Sequence, residues 1–160
     1  MAQYTTAAAG WIPAAFADGG TLTNSNHQSL RSWSALEMDR IVEVFIGGEA
    51  TSSTVNRMSV RRHSTQSVGP TNVAPAPLNP GSAAATAQGF VLVATTQPVI
   101  ATTGHLLNLA FNAFGGVIRW VAAPGEELWI AGNTAATDEA SLTSISGVGV
   151  VSSHMVFEQM

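Results

Sequence analysis

The side chains best able to bind a metal ion are the four histidines, His27, His63, His105 and His154. A zinc site needs three or four ligands, which often fall at short, regular spacings in the sequence. No two of these histidines share such a spacing, and the chain contains no cysteine that could complete a site. We therefore expect the histidines to lie in loops and at sheet rims, and we predict no metal and no other cofactor.

Two adjacent pairs of carboxylates are the other candidates for catalysis, because two carboxylic acids can act as acid and base in glycoside cleavage. Glu126-Glu127 follows a Pro-Gly turn, and Asp138-Glu139 lies in a polar loop, so both pairs are expected to be solvated tips. The sequence also lacks the serine-hydrolase elbow, the P-loop and the dinucleotide-binding fingerprint. We predict no catalytic residues and a protein that is not an enzyme.

The basic side chains cluster at Arg57, Arg61, Arg62 and His63. On a strand, Arg57, Arg61 and His63 share one face and Arg62 points to the other. Because arginine suits bidentate contacts with carboxylates, Arg57 and Arg61 are candidate anchors for a partner protein. Phosphate binding is a second option, and a solvated face, or one paired internally with carboxylates of the preceding strand, is the structural alternative.

Trp120 and Trp129 flank the Pro124-Gly125 turn almost symmetrically. A hairpin at that turn would bring the two rings together across the strand pair. Exposed rings could stack on sugars, whereas core packing is the commoner arrangement of paired aromatic residues. The exposure of the two rings therefore separates a carbohydrate-binding module from a purely structural pair.

Composition narrows the classes of function. Charged residues make up 10% of the 160-residue chain, lysine is absent, and the formal net charge is −4. Such a chain lacks the basic footprint that nucleic-acid binding needs. It also has no apolar run long enough for a membrane span. A signal peptide would begin with positively charged residues, and the first ten residues contain none. We expect synthesis in the cytoplasm and a surface that largely faces other proteins.

Strands are the predicted elements that position these residues. Alternation over residues 36–46 predicts a half-buried strand, which would form a hairpin with a second strand over 54–66. The predicted buried face of the first strand consists of Leu36, Met38, Val42, Val44 and Ile46. Short strands separated by Gly and Pro turns continue from His105 onward. We predict an all-β fold, a single β-sandwich of jelly-roll type over residues 35–160.

Two segments lie outside this alternation. Residues 1–34 are predicted to form an extended N-terminal arm whose Trp11 and Phe16 dock on a neighbouring subunit; the alternative is that both rings cover the chain's own core. Residues 69–87 contain four prolines, and those at positions 75, 77 and 80 exclude a helix or a central strand there. The connector is therefore predicted to be rigid, with Leu78 as an apolar anchor for a partner.

Three motifs resemble small phage and prophage proteins, mostly of unassigned role. They are Pro75-Ala-Pro-Leu-Asn-Pro-Gly-Ser-Ala-Ala-Ala85, Trp120-Val-Ala-Ala-Pro-Gly-Glu-Glu-Leu128 and the ending Phe157-Glu158-Gln159. The resemblance covers roughly residues 40–160 and leaves the N-terminal arm uncovered. This chain departs from the family pattern at Asn79, where the family has Asp, and at Gln159, where it has Glu. The motifs are turn sequences and alanine runs, and they carry no catalytic residues across.

The resemblance implies a β-sandwich component of a virion. We expect a non-enzymatic structural protein of a bacteriophage, most specifically a capsid decoration (cement) protein that bridges neighbouring shell subunits. Its partners would be the major capsid protein or other virion proteins, with no nucleic acid and no membrane, and it would form a homo-oligomer, with a trimer favoured in such families. The candidate partner-binding residues are Trp11, Phe16, Arg57, Arg61 and Leu78. The alternatives are a phage tail, fibre or coat component and a carbohydrate-binding β-sandwich module.

Overall fold

The computed structural model describes residues 1–13, 28–66, 68, 72–91, 98–132 and 139–160. Within these ranges the chain forms twelve strands and no helix. The strands are β1 (Ala2–Trp11), β2 (Gln28–Arg31), β3 (Met38–Gly48), β4 (Val55–Thr65), β5 (Asn72–Val73), β6 (Ala76–Pro77), β7 (Gln88–Val91), β8 (Val99–Asn112), β9 (Val117–Val121), β10 (Leu128–Ala131), β11 (Glu139–Ser146) and β12 (Val151–Gln159). The prediction of an all-β protein is confirmed.

The strands form two open antiparallel sheets. Sheet A has the order β10-β3-β12-β1-β6, with β9 also pairing with β3, and sheet B has the order β5-β7-β2-β11-β4-β8. Alternate residues of both sheets point inward and form one apolar core, as the strand period of two requires. The β-sandwich is therefore confirmed, whereas the jelly-roll connectivity stays a prediction.

The structure corrects the prediction of an extended N-terminal arm. Residues 2–11 form β1, which lies inside sheet A between β12 and β6, and residues 28–31 form β2, which lies inside sheet B between β7 and β11. Trp11 is only 3% exposed and belongs to the core. Thr and Ala dominate β1, so hydrophobic alternation is weak there, and long-range pairing forms the strand instead. Phe16 lies outside the described residues.

Strand β3 contains a β-bulge at Val42, because its neighbour β12 is in register with β3 on both sides of this residue but skips it. An extra residue reverses the alternation of side chains between the two faces. Val44 and Ile46, after the bulge, are buried as predicted, but Leu36 and Met38, before it, are exposed. The predicted buried face is therefore correct only for the second half of the strand.

Both predicted hairpins are wrong. Strands β3 and β4 belong to different sheets, and β9 and β10 lie one after the other along the same edge of β3. Trp120 consequently pairs with Val44, and Trp129 with Arg40. The intervening turn is nevertheless of the predicted kind, because Glu126 N donates to Ala123 O over 2.9 Å.

The proline-rich connector crosses from one sheet to the other. Its first short strand, β5, pairs with β7 in sheet B, and its second, β6, pairs with β1 in sheet A. Pro77 lies in β6, at the edge of sheet A, where its missing N–H is tolerated. Leu78 N then donates to Gln3 O, so the connector is attached to the start of β1.

Two glycines with nearly equal positive φ test how tightly the turn before β12 is packed. Gly147 has φ 90° and Gly125 has φ 88°. A Cβ on Gly147 would lie 2.5 Å from Val55 O, whereas nothing lies within 4 Å of one on Gly125. We expect Gly125→Ala to cost about 1 kcal/mol of unfolding free energy from φ strain alone, and Gly147→Ala about 2–4 kcal/mol. Urea unfolding of both variants measures the difference, and equal losses would contradict the packing of this turn.

Candidate functional site

The five predicted partner-binding residues have different environments. Trp11 is buried and donates from Nε1 to Ser153 Oγ over 3.0 Å, and Arg61 is buried at 1% exposure. Neither side chain can make a surface contact with a partner, which corrects their prediction as anchors. Arg57 and Leu78 are exposed, and Phe16 lies outside the described residues.

Sheet B contains a buried polar cluster, and His63 from the predicted basic cluster belongs to it. Arg31, at the end of β2, donates from Nε to Glu139 Oε2 over 2.9 Å, and a second guanidinium nitrogen contacts the same oxygen. His63 Nδ1 lies 3.4 Å from Glu139 Oε1, and His63 Nε2 lies 2.6 Å from Ser141 Oγ. The cluster links β2, β11 and β4, three neighbouring strands of sheet B.

The carboxylate of Glu139 is ionised under all ordinary conditions. Its burial alone would raise its pKa, but its contacts with His63 and Arg31 together outweigh burial and lower the pKa from 4.5 to about 2. Glu139 and His63 were predicted to be a solvated tip and a rim histidine, and both predictions are wrong, because each side chain has no exposed surface. The only sequence signal that could have indicated this burial is the position of Glu139, a charged residue at the start of strand β11.

Ser141, His63 and Glu139 follow the order of a serine–histidine–carboxylate relay, in which the histidine would accept the serine proton. Such a relay needs a hydroxyl that a substrate can reach. All three residues are fully buried, so a substrate cannot reach the Ser141 hydroxyl in the described geometry. The cluster instead connects neighbouring strands through polar contacts. Its chemical effect is to give the buried Glu139 carboxylate and the buried Ser141 hydroxyl polar partners, without which each would destabilise the sheet.

One end of the sandwich, where β3 begins and β12 ends, is organised by Glu37. Its carboxylate accepts hydrogen bonds from Trp33 N at 2.7 Å and Ser34 N at 3.0 Å, and its other oxygen accepts one from Thr86 Oγ1 at 2.9 Å. Gln159 also donates to Glu37. The carboxylate thus joins the turn before β3, the end of the connector and the end of β12.

Asp39 lies beside this network and is fully buried. Burial raises its pKa from 3.8 to about 7; the Ser32 hydroxyl, 2.6 Å away, opposes this rise, and the negative charge of Glu37 adds to it. This end of the protein therefore contains a carboxyl group that titrates near neutral pH.

The same end presents large apolar side chains to solvent, and we call it the Trp33 end. Leu36 is 93% exposed and Trp33 is 53% exposed. The other exposed members are Met1, Met38, Leu78 and Met160. Leu78 lines an open groove of about 310 Å³ together with the start of β1. Only Leu78 was identified from the sequence; Trp33 was missed because nothing in its local pattern distinguishes an exposed tryptophan from a core one.

The opposite end, which we call the loop end, is held together by backbone hydrogen bonds between three turns. Gly48 N donates to Gly116 O at 2.8 Å, Glu49 N to Val150 O at 2.8 Å, and Ala50 N to Ala113 O at 2.9 Å. The side chain of Asn56 bonds both the N–H and the C=O of Gly149. The exposed apolar residues of this end are Ile12, Val55, Phe114, Val117 and Val148.

The two tryptophans predicted as a pair point to opposite faces of sheet A. Trp120 packs against the core. Trp129 lies on the outer face with the Arg40 guanidinium 5.6 Å from its ring centroid, and Arg40 also pairs with Glu158. Both rings are half-buried, so they form no joint aromatic platform for a sugar.

Within the described ranges, no group of three or more His, Asp or Glu side chains is arranged to hold a metal ion. The part of the chain that the structure describes also contains no helix of the length and apolarity that a membrane crossing requires.

The chain matches no family model, and no curated protein matches it. Among solved structures it is similar to a chain of the infectious bursal virus derived T=1 particles, at 15% identity and a TM-score of 0.18, and to one of the infectious bursal disease virus Gt strain, at 14% and 0.13. The alignments cover 98% and 99% of this chain, which spans 39% and 40% of those chains. At these TM-scores neither likeness carries an argument about fold or function.

Proposed function

We propose that this chain is a non-enzymatic structural protein of a phage virion, and most specifically a capsid decoration protein that bridges neighbouring shell subunits. The observation that carries the proposal is the presence of two apolar surfaces, the Trp33 end and the loop end, at opposite ends of one sandwich. From Asp39 to Gly48, β3 runs nine residue steps between them, which corresponds to about 30 Å. A protein with one attachment surface at each end is suited to join two other proteins.

Both surfaces have the properties of binding sites. Exposed apolar side chains on a chain with only 10% charged residues favour burial against a partner. Tryptophan is enriched among the residues that dominate interface energies. The supporting turns are already held by hydrogen bonds to Glu37 and between the loops, so docking would cost little further ordering.

The proposed setting is the virion, after synthesis in the host cytoplasm, with the major capsid protein or other virion proteins as partners. Leu78 fits this setting because it is exposed at the Trp33 end. Arg57 is exposed near the start of β4 and supplies a cation for carboxylates of a partner. The protein is further proposed to act as a homo-oligomer.

Replacing Trp33 with alanine is expected to weaken binding to empty capsid shells of the phage that encodes this chain by roughly 30-fold or more, because loss of a buried interface tryptophan costs about 2 kcal/mol or more. Its side chain is exposed in the free protein, so the thermal midpoint is expected to remain unchanged. Co-sedimentation of the purified protein with shells, over a range of concentrations, measures the affinity.

Trp129→Ala is the matched control, since it removes the same ring from the outer face of sheet A. We expect this variant to bind shells as the parent protein does. Absence of saturable binding by the parent protein would contradict the decoration role. Binding to isolated tails instead would support a tail, fibre or coat component, and glycan binding that Trp129→Ala abolishes would support a carbohydrate-binding module.

A further inference from the structure

The far edge of sheet B ends in a long strand that no other described strand covers. Strand β8 pairs with β4 on one side and is the terminal strand of its sheet. Residues 107–112 pair regularly with β4, and Leu106 forms a bulge at the end of this stretch. An uncovered edge strand offers a row of backbone N–H and C=O groups to any chain that can pair with it.

The other sheet edges are protected. Strands β5 and β6 have two residues each, and β6 contains a proline. Strands β9 and β10 have five and four residues, and β9 carries the exposed Arg119 at its centre. Short strands, prolines and charges are the usual devices that prevent edge-to-edge pairing. Residues 106–112, Leu-Leu-Asn-Leu-Ala-Phe-Asn, contain neither a charge nor a proline nor a glycine.

The side chains of this segment are complementary to a second copy of themselves. Leu107 and Leu109 pair with Val60 and Met58 of β4, so they lie on the core face, where both are only half-buried. A two-fold axis at Leu109 would place Leu109 against its own copy, and Leu107 against Phe111. The apolar stripe of the core would thereby continue across the junction.

On the outer face, the same axis places Asn108 of one copy beside Ala110 of the other. Both side chains are exposed, and neither introduces a like-charge contact, which would oppose pairing. We propose that two copies of this protein associate through antiparallel pairing of β8, about a two-fold axis at Leu109, which joins their B sheets into one continuous sheet.

A two-fold contact of this kind is isologous and produces a dimer or an even-numbered assembly. It is therefore incompatible with a trimer as the unit formed by β8. The inference does not depend on the virion role, because the association concerns the purified protein alone.

The test is a pair of variants that differ only in the sign of one charge. In Asn108→Glu/Ala110→Glu, each glutamate at 108 would face a glutamate at 110 of the other copy. This repulsion occurs on both sides of the axis, so we expect the variant to be a monomer of 16.5 kDa. Asn108→Lys/Ala110→Glu places lysine opposite glutamate at the same positions, and we expect it to keep the dimer. Arg57, the neighbour of Ala110 on β4, favours a glutamate at 110 within each chain in both variants.

Sedimentation equilibrium of the parent protein and both variants measures the mass, and circular dichroism verifies that each is folded. A dimeric parent protein, a dimeric lysine–glutamate variant and a monomeric double-glutamate variant are the expected results. A monomeric parent protein, a trimer, or a double-glutamate variant that keeps the parent's mass would overturn the proposal. Monomers for both variants would overturn the register about Leu109. Shell binding by a folded monomeric variant would leave the proposed function intact, so the two proposals can fail separately.

Discussion

Replacing Arg31 with methionine is expected to lower the free energy of unfolding at pH 7 by about 3–5 kcal/mol, the loss typical when one member of a buried ion pair is removed. The guanidinium contacts Glu139, whose side chain is fully buried. Without Arg31 the carboxylate would stay in the interior and lose the guanidinium that pairs with it. Urea unfolding followed by tryptophan fluorescence measures the loss.

Two comparisons show whether the loss comes from the stranded charge. Arg57→Met removes an exposed arginine from the same sheet and is expected to change stability by no more than about 0.5 kcal/mol. Arg31→Met/Glu139→Gln removes both charges and is expected to recover more than half of the loss. A loss for Arg31→Met as small as that for Arg57→Met would contradict the structural role of the cluster.

The acid limb of the stability curve gives an independent check on this cluster. The pKa of Glu139 in the folded protein, about 2, lies below its ordinary value of 4.5. Glu139 therefore contributes stability that is fully present above pH 4.5 and is lost as the pH falls towards 2. In Arg31→Met we expect this acid-dependent loss to shrink, because His63 would still lower the pKa of Glu139 but the contribution of Arg31 would be removed.

Replacing Asp39 with asparagine is expected to remove most of a pH dependence that has the opposite sign. The pKa of Asp39 is raised from 3.8 to about 7, so the folded protein keeps a proton that the unfolded chain releases between these values. Stability therefore falls as the pH rises from about 4 to about 7, by roughly 4 kcal/mol, and is level above that. Asparagine resembles the neutral acid and can still bond with the Ser32 hydroxyl. The variant should match the parent protein near pH 4 and exceed it at pH 8.

Unfolding free energies measured in urea at intervals between pH 4 and pH 8 test this prediction. Glu126→Gln is the matched control, because it removes the same charge from an exposed turn and is expected to leave the profile unchanged. Parallel profiles for Asp39→Asn and the parent protein would contradict the raised pKa. Because Asp39 lies beside the Glu37 network, a confirmed result would also mean that deprotonation of Asp39 destabilises the residues that support the Trp33 end.

The parts of the site that could be predicted are those that depend on local sequence. The connector prolines at positions 75, 77 and 80 exclude a helix there, and the structure places a two-residue edge strand and an exposed Leu78 in this segment. The Pro124-Gly125 turn is likewise formed as predicted. In both cases proline's restricted φ and the missing Cβ of glycine act on the backbone directly, whatever surrounds them.

The burial of polar side chains could not be predicted in this way. Arg31 and Glu139 have residue types that are mostly exposed in proteins, and histidine is intermediate. They are buried because three strands that are distant in the chain bring acid, base and hydroxyl into contact. Trp33 shows the reverse case, since its turn is held in place by Glu37 and leaves the ring in solvent.

The sequence by itself determined the all-β class, the sandwich, the low charge and the positions of the turns, because strand period, composition and turn chemistry act over a few residues. Only the tertiary structure decided that residues 2–11 are a strand of sheet A, that β3 and β4 lie in different sheets, and that Val42 reverses the faces of β3. These features depend on pairing between segments far apart in the chain, and the energy of such pairing lies in cross-strand contacts that no short window of sequence contains.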